Sequence, residues 1–229
     1  MKIDFHSHIL PGADHGSRSV ETSLEQIAIL KSASIDQIVA TPHFYPQSHS
    51  VNTFLSNRQK CADQLLEYLK EDAPRIYLGA EVLVCAGLVN MEWLRDLCIS
   101  GTDTLLLEMP LTSKWSESLY KTVYNLSTMG FDIVLAHVDR YPLENVKRLM
   151  SETGAVGQLN VSACGSFFKN RRFLKYLETG RIVAIGSDIH GSDKECAKNM
   201  AYFLNWKNGC SSELFEKTEK YLYGAKSVN

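Results

Sequence analysis

The strongest constraint on the fold is the alternation of short apolar runs with longer helical patterns along the 229 residues. Seven runs are rich in Val, Ile and Leu, as buried parallel strands are. They are Ile3–Phe5, Asp36–Ala40, Arg75–Gly79, Asp103–Leu107, Asp132–Ala136, Val156–Asn160 and Ile182–Ile185. This alternation predicts an α/β fold with one parallel sheet, either doubly wound or closed into a barrel.

Eight helical stretches lie between or after these runs, and Ser17 or Ser19 can cap the first of them. The stretches are Val20–Ala33, Thr53–Lys70, Leu88–Leu97, Ser116–Met129, Leu143–Thr153, Phe167–Glu178, Asp193–Asn205 and Ser212–Tyr223. No repeat, low-complexity tract or Pro/Gly/Ser linker divides the chain. We therefore expect residues 1–229 to form a single domain.

Histidines and carboxylates stand at or just after the ends of six of the seven runs. The set is His6, His8, His43, Glu81, Glu108, His137, Asp188 and His190, with His15 in the loop after the first run. In a parallel barrel the carboxyl ends of all strands converge on one mouth, whereas the edges of an open sheet lie far apart. The pattern therefore favours a barrel with these side chains at its mouth.

Such a cluster needs a bound partner, because buried charges are costly without one. Imidazole and carboxylate ligands together suit Zn, Fe or Mn, and the absence of Cys from these positions argues against a thiolate zinc site. Nine candidate ligands are too many for one ion and suit two or three. His49 lies in a polar loop and is interpreted as an ordinary loop residue.

Eight segments in order along the chain carry a family resemblance: Ile3–Gly12, Asp14–Ser17, Ala40–His43, Gly79–Glu81, Leu107–Pro110, Ala136–Tyr141, Gln158–Ser162 and Ser187–His190. Together they resemble the PHP (polymerase and histidinol phosphatase) superfamily. Within it they are most similar to the bacterial tyrosine-protein phosphatases encoded with capsule and exopolysaccharide machinery. The resemblance implies a distorted TIM-like (β/α)7 barrel of the PHP type and a metal-dependent phosphomonoester hydrolase. It also implies a phosphotyrosine protein as substrate, namely a bacterial tyrosine autokinase.

The resemblance also implies a site of two or three divalent ions, usually Mn²⁺, with Fe or Zn as alternatives. One ion would be held by His6, His8, Glu81 and Asp188, a second by Glu81, Glu108 and His137, and a third by His15, His43 and His190. Arg140 would contact the substrate phosphate, which a metal-activated hydroxide attacks. His43 or His190 is the candidate proton donor.

Two segments depart from the family pattern. Asp14-His15-Gly16 stands where the family usually has Asp-Asp-Gly, so an imidazole takes the ligand position and would shift metal preference towards zinc or iron. Asp14 either reaches a metal itself or supports a ligand. After His190 the chain lacks the Arg that the family uses on the phosphate, and Lys194 offers a point charge without a bidentate fork.

Composition excludes other classes of protein. The net charge is −2, from 24 basic and 26 acidic residues, and no basic run is present, which argues against nucleic acid or an anionic membrane as partner. No apolar stretch approaches the roughly 18 residues of a membrane span, and the polar start is unlike a secretion signal. The six scattered Cys contain no CxxC pair, which favours reduced thiols in the cytoplasm.

Cysteine-based tyrosine phosphatase chemistry needs an Arg six positions after a Cys, and none of the six Cys has one. The nearest alternative is a PHP-type small-molecule phosphatase acting on histidinol phosphate or a nucleotide. More distant alternatives are a TatD-like nuclease, an amidohydrolase and a metal-dependent regulatory protein without turnover. Four aromatic residues after strand ends either flank an aromatic leaving group or serve packing: Phe44, Tyr45, Trp115 and Tyr141.

Overall fold

The computed structural model describes residues 1–163, 175–177, 179–205 and 210–229. All seven predicted runs form strands there, and every recorded strand pair is parallel. The strands are β1 (Ile3–Ser7), β2 (Gln37–Ala40), β3 (His43–Phe44), β4 (Arg75–Leu78), β5 (Glu81–Leu83), β6 (Thr104–Glu108), β7 (Asp132–Leu135), β8 (Val156–Asn160) and β9 (Ile182–Gly186).

Two of the predicted strands are each followed by a second short strand, so that β2 continues into β3 and β4 into β5. The break in the first case falls at Pro42, which has no backbone N–H to donate. Hydrogen bonds nevertheless cross both breaks, because Gly79 N donates to Ala40 O at 2.9 Å and Glu81 N donates to Pro42 O at 3.1 Å. The extra strands extend the sheet towards its carboxyl end.

The strands follow one another in barrel order. Hydrogen bonds link β1, β2 and β4 in one sheet and β3, β5, β6, β7, β8 and β9 in the other. The last strand lies beside the first, since Asp188 N donates to His6 O at 2.8 Å and Ser187 N donates to Asp4 Oδ1 at 2.7 Å. The α/β fold with parallel strands is therefore confirmed, and the arrangement brings all strand ends to one mouth.

The helices in the described residues are α1 (Val20–Ser32), α2 (Val51–Leu66), α3 (Glu117–Thr128), α4 (Leu143–Thr153), α5 (Lys194–Leu204) and α6 (Cys210–Tyr221). Ser19 caps α1 by accepting a hydrogen bond from Thr22 N at 3.3 Å, which decides between the two predicted caps. None of the helices in this part of the chain has the length and apolarity needed to cross a bilayer.

One predicted helix is wrong. Leu88–Leu97 forms two short 3₁₀ turns, Leu88–Asn90 and Leu94–Leu97, instead of an α-helix. Trp93, between them, has a φ of +64°, which a right-handed helix cannot contain. The predicted helix Phe167–Glu178 lies largely outside the described residues.

The helices bury one face against the strands. In α4 the buried residues are Val146, Leu149, Met150 and Thr153, whose spacing places them on one side of the helix. Each of the large apolar side chains contributes about 1.5–3 kcal/mol when fully buried. All residues of β1 and β9 are buried, and the two-residue period of β1 places its polar residues Asp4 and His6 on the same face of the strand.

Candidate metal centre

Parallel pairing brings the predicted ligands together. His6 lies in β1 and His8 directly after it, and the two-residue period of a strand points both side chains the same way. His43 and Glu81 are direct partners in the β3–β5 pair, which explains their side-chain contact. His15 lies in the loop after β1, and the remaining residues follow or end β6, β7 and β9.

The Glu81 carboxylate is the centre of the cluster and is almost completely buried. Its Oε1 lies 2.7 Å from His137 Nε2. Its Oε2 lies 2.7 Å from His43 Nδ1, 3.3 Å from His6 Nε2 and 3.4 Å from His8 Nε2. One carboxylate therefore contacts four imidazoles, which are carried by three different segments of the chain.

Two imidazole nitrogens face each other across this cluster. His6 Nε2 and His8 Nε2 are 3.1 Å apart, and Asp188 Oδ1 lies 3.2 Å from the second of them. The other ring nitrogen of His8 donates to Asp14 Oδ2 at 2.7 Å, so a neutral His8 presents a lone pair at Nε2. Lone pairs and carboxylate oxygens converging in this way lack a positive partner between them.

Buried polar atoms without hydrogen-bond partners also indicate that a positive partner is missing from the cluster. Glu81 Oε2, His43 Nδ1 and His137 Nδ1 are buried and make no hydrogen bond of good geometry among the described residues. First-row divalent ions bind imidazole nitrogen and carboxylate oxygen at about 2.0–2.2 Å, which places neighbouring donor atoms about 3–3.6 Å apart. Most of the distances around Glu81 Oε2 fall in that range, so the residues present fit divalent cations.

Electrostatics favour positive charge in the cluster. Burial lowers the pKa of His6, but the charges of Glu81 and Asp188 outweigh burial and raise it above its ordinary value. Burial also opposes charge on His8, yet hydrogen bonds to Asp14 and Asp188 raise its pKa well above the ordinary value. Burial raises the pKa of Glu81, but the charge of His6, the hydrogen bond from His137 and the close contact of His43 outweigh burial and hold this pKa well below its usual range.

Three sets of donor atoms lie within 4.8 Å of one another in the described residues: His8, His43 and His190; His6, His8 and Glu81; His43, Glu81 and Glu108. The sets overlap, as expected for ions that share ligands. His137 is connected to these sets through its contact with Glu81, and its Nε2 lies 3.7 Å from Glu108 Oε1. Asp188 is connected to these sets through its contacts with His6 and His8.

His15 is exposed at the rim of the cluster. Its ring stacks on that of His43 with 4.8 Å between centroids and lies 4.7 Å from that of His190. Asp14 turns inwards instead, accepting hydrogen bonds from His8 Nδ1, from Gly16 N at 2.8 Å and from His43 N at 2.9 Å. Of the two predicted roles for Asp14, the contacts match support of ligands.

Arg140 is half-exposed at the mouth, where its guanidinium contacts Asp188 Oδ2. Lys194 is exposed in the first turn of α5, four residues beyond His190. Tyr45 stacks on His43 with a centroid distance of 5.4 Å, and burial together with the charges of Glu108 and Glu81 raises its pKa to about 12. The other three aromatic candidates, Phe44, Trp115 and Tyr141, are buried, and the ring of Tyr141 lies 5.5 Å from that of His137.

Two of the predicted ligands have strained backbones. His137 is the second residue after β7 and Asp188 the second after β9, and their φ values are +30° and +51°. Non-glycine residues rarely adopt positive φ, and such residues cluster at functional sites. The left-handed turn ends each strand at the mouth while the side chain stays directed at the cluster.

Two residues of the site were missed as functional residues in the sequence. Gln158 and Asn160, in the middle and at the end of β8, are buried and contact His6, His137 and Asp188. Their segment contributes to the family resemblance, but no role followed from it. The available signal was the presence of two amides, two residues apart, in a predicted strand whose other residues are Val156, Gly157 and Leu159.

Fold and site together define a parallel α/β barrel protein with a candidate multi-metal centre at the carboxyl ends of its strands. The family model for capsular polysaccharide synthesis proteins, CpsB/CapC, matches residues 2–208. The chain therefore belongs to the CpsB/CapC family, and the resemblance seen in its sequence is confirmed.

Individual relatives are distant but match over most of their length. The chain is 26% identical to CapC of Staphylococcus aureus over 99% of this chain and 90% of that protein. It is 27% identical to the tyrosine-protein phosphatase CpsB of Streptococcus agalactiae serotype V over 83% of this chain and 84% of that protein.

A solved structure supports the fold. It comes from a study of YwqE from Bacillus subtilis and CpsB from Streptococcus pneumoniae, described as unique metal-dependent tyrosine phosphatases. It matches with a TM-score of 0.79 at 20% identity, covering 98% of this chain and 95% of that one.

Proposed function

We propose that this protein is a metal-dependent phosphomonoester hydrolase, and specifically a tyrosine-protein phosphatase of capsular or exopolysaccharide synthesis. The observation that carries the proposal is the set of three overlapping donor groups around Glu81 at the mouth of the barrel. The names of its CpsB relatives support the same reaction class. A barrel mouth is where active sites of such folds lie.

The proposed assignment of ligands is the one that the family resemblance implies, and the contacts around Glu81 support it. His6, His8, Glu81 and Asp188 would hold one ion, Glu81, Glu108 and His137 a second, and His15, His43 and His190 a third. We propose two or three divalent ions, with Mn²⁺ as the cofactor and Fe or Zn as alternatives. When bound, such ions neutralise a phosphate dianion and lower the pKa of a coordinated water towards about 7.

The chain's own residues would orient the substrate. Arg140 is the only proposed phosphate ligand that already touches the cluster, and a guanidinium can hold two phosphate oxygens at once. Lys194 would add a point charge from outside the cluster. His190 donates its Nδ1 proton to Asp188 O at 2.9 Å and is partly exposed, so it is a candidate for proton transfer at the mouth together with His43.

An aromatic side chain at the mouth of the barrel supports phosphotyrosine as the substrate. Tyr45 presents a half-buried ring beside His43, where it can contact an aromatic leaving group. A phenolate leaving group has a pKa of about 10, so its departure makes small demands on an acid. We propose a tyrosine autokinase in the cytoplasm as the phosphorylated protein.

Thiolate chemistry is a poor alternative for this chain. Cys61, Cys98 and Cys196 are buried, and burial raises the pKa of each thiol, to about 12 for Cys98. A nucleophilic cysteine requires the opposite shift. None of these three residues belongs to a donor group of the mouth.

The test is a substrate panel on metal-free and Mn²⁺-loaded protein, comprising p-nitrophenyl phosphate, a phosphotyrosine peptide, histidinol phosphate and an oligonucleotide. We expect metal-dependent phosphate release, fastest from the phosphotyrosine peptide and lost in Asp188→Asn. Asp132→Asn, at the opposite end of a strand and exposed, is the matched control and should retain full activity. Preference for histidinol phosphate, or cleavage of the oligonucleotide alone, would contradict the assignment.

A further inference from the structure

Strand β8 places two amide side chains directly behind the metal centre. Gln158 and Asn160 are both buried, and their two-residue spacing puts them on the same face of the strand. We refer to these two residues as the amide pair. Neither has a place in the ligand set or in the proposed substrate contacts, so their presence in an apolar interior needs another reason.

The direction of every hydrogen bond in the amide pair is fixed at its two ends. At one end, His137 N can only donate, and it lies 2.7 Å from Gln158 Oε1, so this atom is the oxygen. Gln158 Nε2 then donates to Asn160 Oδ1 at 2.9 Å. At the other end, Asn160 Nδ2 donates to the carboxylate Asp188 Oδ2 at 2.9 Å.

This direction determines the tautomer of His6. Its Nδ1 lies 3.0 Å from Gln158 Oε1, which already accepts from His137 N and has no proton to give. Nδ1 must therefore carry the proton, and the neutral ring keeps its lone pair on Nε2. That atom is the one that faces His8, Glu81 and Asp188.

The amide pair also fixes the carboxylate of Asp188. Its Oδ2 accepts from Asn160 and from Arg140, while Oδ1 faces the histidines of β1. If Arg140 turns towards a substrate phosphate, Asn160 still holds Oδ2. The orientation of Asp188 then does not depend on the state of Arg140.

Packing around Gln158 leaves no slack. A Cβ at Gly186, on the neighbouring strand, would lie 2.5 Å from the His6 Cβ and 2.6 Å from Gln158 Nε2. Only glycine permits the close approach of β9 to this side chain and to His6. The close packing of β9 against Gln158 and His6 therefore depends on the absence of a side chain at residue 186.

We propose that Gln158 and Asn160 are positioning residues, which act through His6 and Asp188 to hold the donor atoms of one metal ion in place. The proposal rests on the proposed function, because it concerns ligands of the proposed centre. Residues that hold metal ligands by hydrogen bonds typically contribute about 10–100-fold to metal affinity or activity.

The test measures Mn²⁺ and Zn²⁺ binding by chelator competition and counts bound ions, without any substrate. Gln158→Met keeps the size of the side chain and removes its acceptor, so we expect one ion to bind about 10–100-fold more weakly while the others are retained. Gln158→Glu keeps an acceptor for both His6 Nδ1 and His137 N but loses the donor to Asn160 Oδ1, so it should lose less affinity for that ion than Gln158→Met. If Gln158 served packing alone, methionine, which fills the same volume, would leave metal affinity unchanged.

Asn160→Leu is the second variant and removes the bond to Asp188. It should weaken binding of the same ion. The affinity loss in the double variant with Gln158→Met should be smaller than the product of the two single losses, because the two residues act through one chain of hydrogen bonds. Thermal unfolding of the metal-free variants identifies any that fail to fold.

Wild-type affinity in folded Gln158→Met, or an equal loss in Gln158→Met and Gln158→Glu, would overturn the proposal. These outcomes are separable from failure of the proposed function. If the parent protein binds ions but releases no phosphate, the phosphatase assignment fails and the amide pair stands. If the parent protein releases phosphate and the variants bind ions with the parent affinity, only the positioning role of the amide pair is refuted.

Discussion

Replacing Glu81 by glutamine removes one negative charge from the centre of the cluster while keeping the shape of the side chain. The carboxylate contacts His6, His8, His43 and His137 at 2.7–3.4 Å, and it is almost completely buried. No other side chain in the described residues is recorded in contact with all four imidazoles. The variant therefore tests whether the site is organised around this carboxylate.

The magnitude follows from the burial and the distances. Two unit charges 4 Å apart interact by about 4 kcal/mol at an effective dielectric constant of 20. Breaking a buried ionic contact by removing one partner typically costs about 3–5 kcal/mol. At about 1.4 kcal/mol for each tenfold change, Glu81→Gln should weaken binding of its ions by about 100-fold to several thousand-fold.

The assay is chelator competition with Mn²⁺, combined with elemental analysis of ions retained after desalting. Glu117→Gln makes the same chemical change at an exposed carboxylate paired with Arg148, and it should leave affinity and ion content unchanged. Retention of all ions by Glu81→Gln, with affinity within about threefold of the parent protein, would refute the central position given to this carboxylate.

Three further predictions concern the surroundings of the centre. Asp14→Ala removes the acceptor for His8 Nδ1 and should weaken metal binding about 10–100-fold in the same competition assay. Arg140→Lys should raise the KM for a phosphotyrosine peptide several-fold with ion content unchanged, because an ammonium lacks the bidentate fork; an unchanged KM would remove Arg140 from the phosphate site. For pH, the raised pKa of His6 and His8 stabilises the metal-free fold below pH 6.5, and this stability is lost as the pH rises through the raised pKa values. Metal binding needs the neutral rings, so the Tm gap between loaded and metal-free protein should widen from pH 6 to pH 8.5; a constant gap would contradict this linkage.

The sequence predicted the strands and the mouth well, because both depend on short-range patterns. A buried parallel strand shows as an apolar run, and the convergence of strand ends is a property of any parallel barrel. Histidines and carboxylates at those ends therefore predict a cluster at the mouth. Glu81 and His43 in particular are direct neighbours in the β3–β5 pair, as the convergence of their strand ends requires.

What the sequence could not provide is the choice among partners at close range. It left open whether Asp14 binds metal or supports a ligand, and the choice depends on a loop that brings its carboxylate to His8 Nδ1. It assigned nothing to Gln158, whose role requires knowing that β8 lies beside His6 and His137. The helix predicted at Leu88–Leu97 failed because a left-handed residue, Trp93, interrupts a pattern that reads as helical.

The most direct test of the account is a metal titration of the metal-free protein in which bound ions and phosphotyrosine-peptide turnover are measured on the same samples. We predict that turnover is absent without metal, increases with added Mn²⁺ and reaches its plateau when two or three ions are bound per chain. Alkylation of accessible thiols should leave the curve unchanged. Turnover that is independent of bound metal, or is abolished by thiol alkylation, would contradict a phosphatase built on the histidine and carboxylate cluster around Glu81.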